Sequence, residues 1–269
     1  MKSLIRIAAL AAVFLCFSFV VGNAEALWPA RGDIVLKDNE LTVDASHADQ
    51  GYVMAYPTNP TKHHLKLRIK KGKTVLDYDL KEDGTSVVIP LQLGSGAYEV
   101  SLFINVKGKK YSAGGKLNLD VQLASDTICF LYPNQYVDYN LETAAVQKAN
   151  ELAGGLSKPE DIYRAVTGFI ESEFSYDFVR AKKIKAAVLP EIDGCFESRA
   201  GICQDLSAVM VCMLRTQGVP AKLMIGYVGK YYHAWTTAYV DGKEVFYDPT
   251  EAIGALAMKN KKYKTERFY

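Results

Sequence analysis

The sequence predicts two domains behind a short leader: an all-β sandwich followed by an α+β domain. Three observations point there. Residues 34–123 run as short stretches of alternating polar and apolar residues split by glycine-rich turns, the signature of half-buried strands. Beyond about residue 124 the hydrophobic period changes to that of amphipathic helices and then returns to strands, as in an α+β unit. The chain has 269 residues, 49% of them hydrophobic and 11% aromatic, which is length and apolar content enough for two cores.

The elements follow in order. Lys2 and Arg6 form a basic start, Ile7 to Val21 carries no charge, and Ala24-Glu25-Ala26 is an A-x-A cleavage site. That is the build of a secretory signal peptide over residues 1–26, so the protein is expected outside the cytoplasm, with periplasm, wall and medium all left open. The apolar run is about 15 residues, short of the ~20 that span a bilayer, so no membrane span is expected after cleavage. An uncleaved anchor is the bland alternative. Cys16 leaves with the leader.

The first domain is expected over 27–124. His64 to Lys70 alternates, the turn Lys71-Gly72-Lys73 follows, and Thr74 to Leu80 alternates again. Ser86 to Leu93 is an apolar run closed by Gly94-Ser95-Gly96, and Tyr98 to Val106 is the next strand, ended at Lys107-Gly108-Lys109-Lys110. Short strands at this spacing over about 90 residues fit an immunoglobulin-like sandwich.

The second domain is expected over 125–269. Asn140 to Leu152 reads as a helix stopped by Gly154-Gly155. Ser157-Lys158-Pro159-Glu160 reads as a capping box that opens a helix to Phe174. A third helix, Cys203 to Thr216, carries a stripe of Leu206, Val209, Met210, Met213 and Leu214, and Gly218 and Pro220 end it. Ala221 to Val228, Tyr232 to Val240 and Lys243 to Tyr247 are strands, the last two joined by an Asp241-Gly242 hairpin. Lys259 to Tyr269, basic and aromatic, reads as a solvated tail.

Composition excludes some functions. A net charge of +2 makes no field for nucleic acid. Four His and five Cys in no metal-ligand spacing give no support for a metal site. Cys129, Cys195, Cys203 and Cys212 remain after the leader, three of them close together, which suits a working thiol better than a disulfide framework. A single bridge, Cys129–Cys195 or Cys195–Cys212, stays open.

Chemistry concentrates on three residues. Cys203 starts a helix, where the macrodipole and unpaired N–H groups favour thiolate and can hold an oxyanion. Cys212, nine residues on, reads as core. His233 begins a strand and is the one imidazole of its domain. Asp248 directly follows the hairpin partner of that strand, so it is placed to orient the His233 ring. Each alone also has a bland reading: a helix start, a half-buried polar group, a turn.

Gly201-Ile202-Cys203-Gln204-Asp205, Met213-Leu214-Arg215 with Gly218-Val219-Pro220-Ala221, His233-Ala234-Trp235 and Tyr247-Asp248-Pro249-Thr250 together resemble the transglutaminase-like superfamily, most closely its bacterial exported members. The resemblance covers residues 140–255, including Phe174-Ser175-Tyr176-Asp177. It implies a papain-like α+β core with a catalytic triad of Cys203, His233 and Asp248. It further implies acyl transfer on amides of a protein or peptide: transglutamination, hydrolysis or deglycosylation. Gln204 and Trp235 are candidates, by position, for substrate binding or the second oxyanion donor. The chemistry needs no cofactor. Hydrolysis is slightly favoured over crosslinking, since water is abundant outside the cell and no lysine-binding site is visible. The competing reading is a non-catalytic surface adhesion protein that binds through the sandwich. Oligomeric state and substrate identity are not encoded legibly.

Overall fold

The computed structural model describes residues 31–184, 188–257 and 261–269. The expected leader, with Cys16, lies outside these residues. Eight strands come first: β1 (Val35–Asp38), β2 (Leu41–Asp44), β3 (Tyr52–Pro57), β4 (Leu65–Lys71), β5 (Thr74–Leu80), β6 (Val87–Pro90), β7 (Gly96–Lys107) and β8 (Lys110–Val121). They form two four-stranded antiparallel sheets, in the orders β1-β2-β3-β6 and β5-β4-β7-β8. Period-two alternation explains the second sheet. Leu65, Leu67 and Ile69 of β4 and Leu76, Tyr78 and Leu80 of β5 point inward, with Tyr98, Val100 and Leu102 of β7 beside them.

The chain then turns helical, through a short 3₁₀ turn (Ile128–Leu131) to α1 (Ala144–Leu152) and α2 (Pro159–Glu173). The expected capping box at Ser157 does not form. Pro159 takes the first helical position and drives Lys158 into extended backbone, so Lys158 is the cap residue and makes no side-chain cap bond. Next come β9 (Ser175–Tyr176), α3 (Phe178–Lys183), α4 (Ile192–Ser198), β10 (Ala200–Gly201) and α5 (Cys203–Thr216). The remaining elements are β11 (Ala221–Val228), β12 (Tyr231–Val240), β13 (Lys243–Tyr247), α6 (Pro249–Ala252) and β14 (Tyr263–Phe268). The last sheet has the order β13-β12-β11-β14.

Residues 263–268 are therefore not a solvated tail. They pair with β11 along the sheet edge, with Tyr263 opposite Val228 and Phe268 opposite Met224. Gln92 donates its amide to the Phe268 carbonyl at 2.6 Å, and the rings of Tyr136 and Tyr269 stack at 3.6 Å. Only Tyr263 and Phe268, at its two ends, are half-buried, and the four exposed residues between them, three of them charged, hide the strand in the sequence.

Helix α5 lies at the centre. The expected stripe widens to the whole circumference: every residue from Asp205 to Arg215 is buried. Helices α1, α2 and α4 cover one side, and β11 and β12 the other. A helix apolar all round has to be enclosed in this way. One buried cluster runs from the two N-terminal sheets through α5 to Tyr269. Among the described residues, no helix is long and apolar enough to cross a membrane.

Arg215, near the end of α5, is fully inside this cluster. Its Nε donates to the Ala221 carbonyl at 2.8 Å, Nη1 to Tyr132 at 2.6 Å and Nη2 to Tyr269 at 2.8 Å. One guanidinium thus ties α5 to β11, to the 3₁₀ turn and to the segment after β14. Arg215→Ala leaves three inward carbonyls without this donor. It should cost about 3 kcal/mol or more, read as a lower midpoint in denaturant unfolding.

Candidate active site

Cys203 is the first residue of α5 and half-exposed. The turn that delivers it is held from several sides. β10 pairs in parallel with β9: Ser175 N donates to the Arg199 carbonyl and Asp177 N to that of Gly201, both at 2.9 Å. Gly201 is required by close approach, since a Cβ there would meet Cys195 Sγ at 2.5 Å and Asp205 Cβ at 3.0 Å. Arg199 adopts the left-handed region, φ 54°. Its guanidinium lies 4.0 Å from the Phe196 ring centre, with the rings of Phe169 and Phe174 beyond, a cation–π seat that holds an otherwise costly backbone. Asp205 reaches back to the Ile202 N–H at 3.0 Å, one half of a capping box, and also accepts from Glu191 N at 3.0 Å and Arg180 Nη1 at 2.9 Å. The sulfur is thus fixed at the positive end of a rigid helix.

His233 enters from β12, and Asp248 from the turn directly after β13. The register Thr236↔Tyr247 sets Asp248 near the start of β12. His233 Nε2 donates to Asp248 Oδ2 at 2.8 Å, and both residues are buried. The Cys203 thiol is hydrogen-bonded to the same ring, for which Nδ1 is left. The three expected residues therefore meet at one place. Asp248 is also the cap of α6: its Oδ1 accepts from Thr250 N at 2.9 Å and Glu251 N at 3.3 Å. The sequence sign for this is Asp followed by Pro, a capping oxygen ahead of proline at the first helical position.

Electrostatics follow from that wiring. Burial works to lower the His233 pKa, but the hydrogen bonds to Asp248 and Cys203, and the charges of both, carry it up to about 9. Burial works to raise the Asp248 pKa, but the bonds from His233 and Tyr263 and the His233 charge leave it below the usual carboxylate value. At neutral pH the imidazole is protonated and the carboxylate ionised.

The other sequence candidates are placed as follows. Gln204 donates its amide to the Val188 carbonyl at 3.0 Å and so pins the 188–191 segment to α5. Trp235 is buried beside the imidazole, with its ring 5.0 Å from that of Tyr263. Two residues were not singled out by sequence. The Tyr176 hydroxyl lies beside the Cys203 backbone N–H, the group expected to bind an oxyanion. The Tyr263 hydroxyl donates to Asp248 Oδ2 at 2.7 Å. The sole prior sign of Tyr176 is its place in the Phe174-Ser175-Tyr176-Asp177 segment; Tyr263 was hidden by the expected tail.

The four cysteines among the described residues are free. Burial pushes the Cys129 thiol up to about 11 and that of Cys195 up to about 12. Cys212 is buried within α5 and raised further. Among the described residues, no group of three or more His, Cys, Asp or Glu is arranged to hold a metal.

The raised basicity of His233 has a testable signature. The folded ring holds its proton more tightly than an unfolded one. Its contribution to stability is whole below about pH 6.5 and is lost as pH rises through the folded value. By NMR, the His233 ring should titrate near 9. In Asp248→Asn, burial prevails and the midpoint should fall by about 2 units or more.

Residues 146–249 match the family model of the transglutaminase-like superfamily. Among solved structures, the chain is similar to a candidate cysteine protease from Cytophaga hutchinsonii, with 16% identity over 88% of this chain and 73% of that one and a TM-score of 0.43. It is also similar to the periplasmic domain of TgpA from Pseudomonas aeruginosa bound to ethylmercury, with 16% identity, 82% and 76% coverage and a TM-score of 0.38. Red sea bream transglutaminase aligns at 13% identity over 74% of this chain and 48% of its own length, about half of that protein, with a TM-score of 0.29. No curated protein sequence matches. Residues 146–249 are thus similar to the core of the transglutaminase-like superfamily, which suggests a cysteine-dependent enzyme.

Proposed function

We propose that this protein is an exported cysteine enzyme that transfers the acyl group of protein or peptide amides through Cys203, His233 and Asp248. The observation that carries the reading is the buried 2.8 Å His233–Asp248 bond beside a thiol at the start of α5. In this reading His233 holds the proton of the Cys203 thiol. The sulfur attacks the amide carbonyl carbon, and its oxygen becomes an anion at the Cys203 N–H. The Tyr176 hydroxyl, already at that N–H, supplies the second donor; burial raises its pKa to about 12, so it keeps its proton. His233 then protonates the leaving amine. The thioester is cleaved by water, which regenerates the thiol, or by a lysine amine, which forms an isopeptide bond. Hydrolysis is the favoured outcome.

A polypeptide substrate suits the surroundings. Phe178, exposed, packs its ring against Tyr176, and Val179, Val188 and Leu189 are exposed nearby in sequence. On the sheet side Tyr231, Tyr232 and Phe246 are exposed. Exposed apolar groups at this many positions of the domain fit an extended chain better than a small polar molecule. Export rests on the sequence alone: Lys2, Arg6, the apolar run and Ala24-Glu25-Ala26. We further assign residues 27–124 to an immunoglobulin-like sandwich domain that supports the catalytic part over 125–269.

The test is incubation with a glutamine-rich protein and a fluorescent amine, scored for new peptide ends, released ammonia and amine incorporation. Peptide ends or ammonia are expected, and Cys203→Ala should reduce them by about 10³-fold or more. Activity that survives Cys203→Ala refutes the reading. Amine incorporation in place of hydrolysis reassigns the acceptor. Tyr176→Phe should lower kcat by about 10²-fold with KM little changed, as expected when one oxyanion donor is removed.

A further inference from the structure

We propose that Tyr263 is a positioning residue of the active site: its hydroxyl, delivered by β14, braces Asp248 and so aims the His233 ring at the Cys203 sulfur. The inference rests on the triad reading above. The Asp248 carboxylate is held at both oxygens. Oδ1 takes the backbone N–H groups of Thr250 and Glu251, while Oδ2 is shared by His233 Nε2 at 2.8 Å and the Tyr263 hydroxyl at 2.7 Å. Without Tyr263, the oxygen that orients the imidazole would have the imidazole as its sole side-chain partner. The second donor fixes Oδ2 independently of the group it has to aim.

The tyrosine is itself well anchored. Its ring meets Phe246 at 4.8 Å, Trp235 at 5.0 Å and His233 at 6.3 Å. Tyr263 pairs with Val228 at the edge, and β14 bulges at Glu266, beside Gly226, which lies opposite His233. A Cβ at Gly226 would land on the Lys264 carbonyl oxygen. Arg267 donates to the Tyr232 hydroxyl at 2.7 Å, and Gln92 and Arg215 hold the carbonyls of Phe268 and Tyr269. Burial and the neighbouring carboxylate push the Tyr263 pKa far above the working range, so the hydroxyl stays a donor. The titratable groups around the carboxylate are His233, Cys203, Glu251 and the hydroxyls of Tyr176, Tyr247 and Tyr263.

The experiment measures iodoacetamide alkylation of Cys203 against pH in the full chain, which needs no knowledge of the substrate. Tyr263→Phe keeps the ring and removes the hydroxyl; Phe246→Leu removes a ring contact and keeps the hydroxyl. In Tyr263→Phe, alkylation at pH 6 should slow by about 5-fold. The upper midpoint, set by His233, should rise by about 0.5 unit, because the carboxylate charge is then shared with one donor fewer. Its thermal midpoint should stay within about 2 °C of the parent, and Phe246→Leu should leave the alkylation midpoint unmoved. The inference is overturned if Tyr263→Phe follows the parent profile, if only one of the two changes is seen, or if Phe246→Leu shifts the midpoint equally. Should the parent and His233→Ala share one profile, it is the triad reading that fails, and the two failures are thereby distinguished.

Discussion

A helix buried on every side has to satisfy both of its ends inside the protein, and this structure is organised around doing so for α5. At its start the free N–H groups meet the Asp205 carboxylate and the Tyr176 hydroxyl. At its finish Arg215 spreads its donors over three carbonyls from separate parts of the chain. Cys203, the proposed nucleophile, occupies one end, and the tie to β11, the 3₁₀ turn and the segment after β14 the other. Rigidity at the sulfur is therefore a by-product of burying the helix, and the supports of Cys203 are the supports of the core.

The same economy holds at Asp248. Its two oxygens serve different tasks: Oδ1 caps α6, and Oδ2 faces the imidazole. A buried carboxylate is costly to leave unpaired, and here four donors share it. The charge that raises His233 basicity is thus paid for by local backbone as well as by the ring it orients. A turn of three residues, Asp248-Pro249-Thr250, does structural and electrostatic work at once.

Much of this was legible. The helix over Cys203–Thr216 and the strand over Thr74–Leu80 match their sequence patterns residue for residue, since glycine, proline and clean periodicity punctuate both. The meeting of Cys203, His233 and Asp248 could be read from a helix start and one hairpin. What escaped was set by long-range contact. β1 and β2 have four residues each, too few to show a period. Tyr263 to Phe268 carries no period-two alternation, since four exposed residues, three of them charged, separate its two aromatics, and the charges read as solvent. Tyr176 belongs to a two-residue strand whose register comes from Ala200 and Gly201, some 25 residues on. The cap at Lys158 differs from the expected Ser157 because proline restricts the residue before it.

The order of these groups along the polypeptide has a consequence in time. Cys203, His233 and Asp248 are synthesised before the strand that covers Gly226 and reaches the carboxylate. Until residues 263–268 have emerged and docked, the edge of β11 lies open and the Asp248 oxygen lacks one of its donors. A chain interrupted in this interval would hold the proposed triad without its full support. Docking of β14 therefore closes the β11 edge and completes the donors of Asp248 in one step, so the two are gained or lost together.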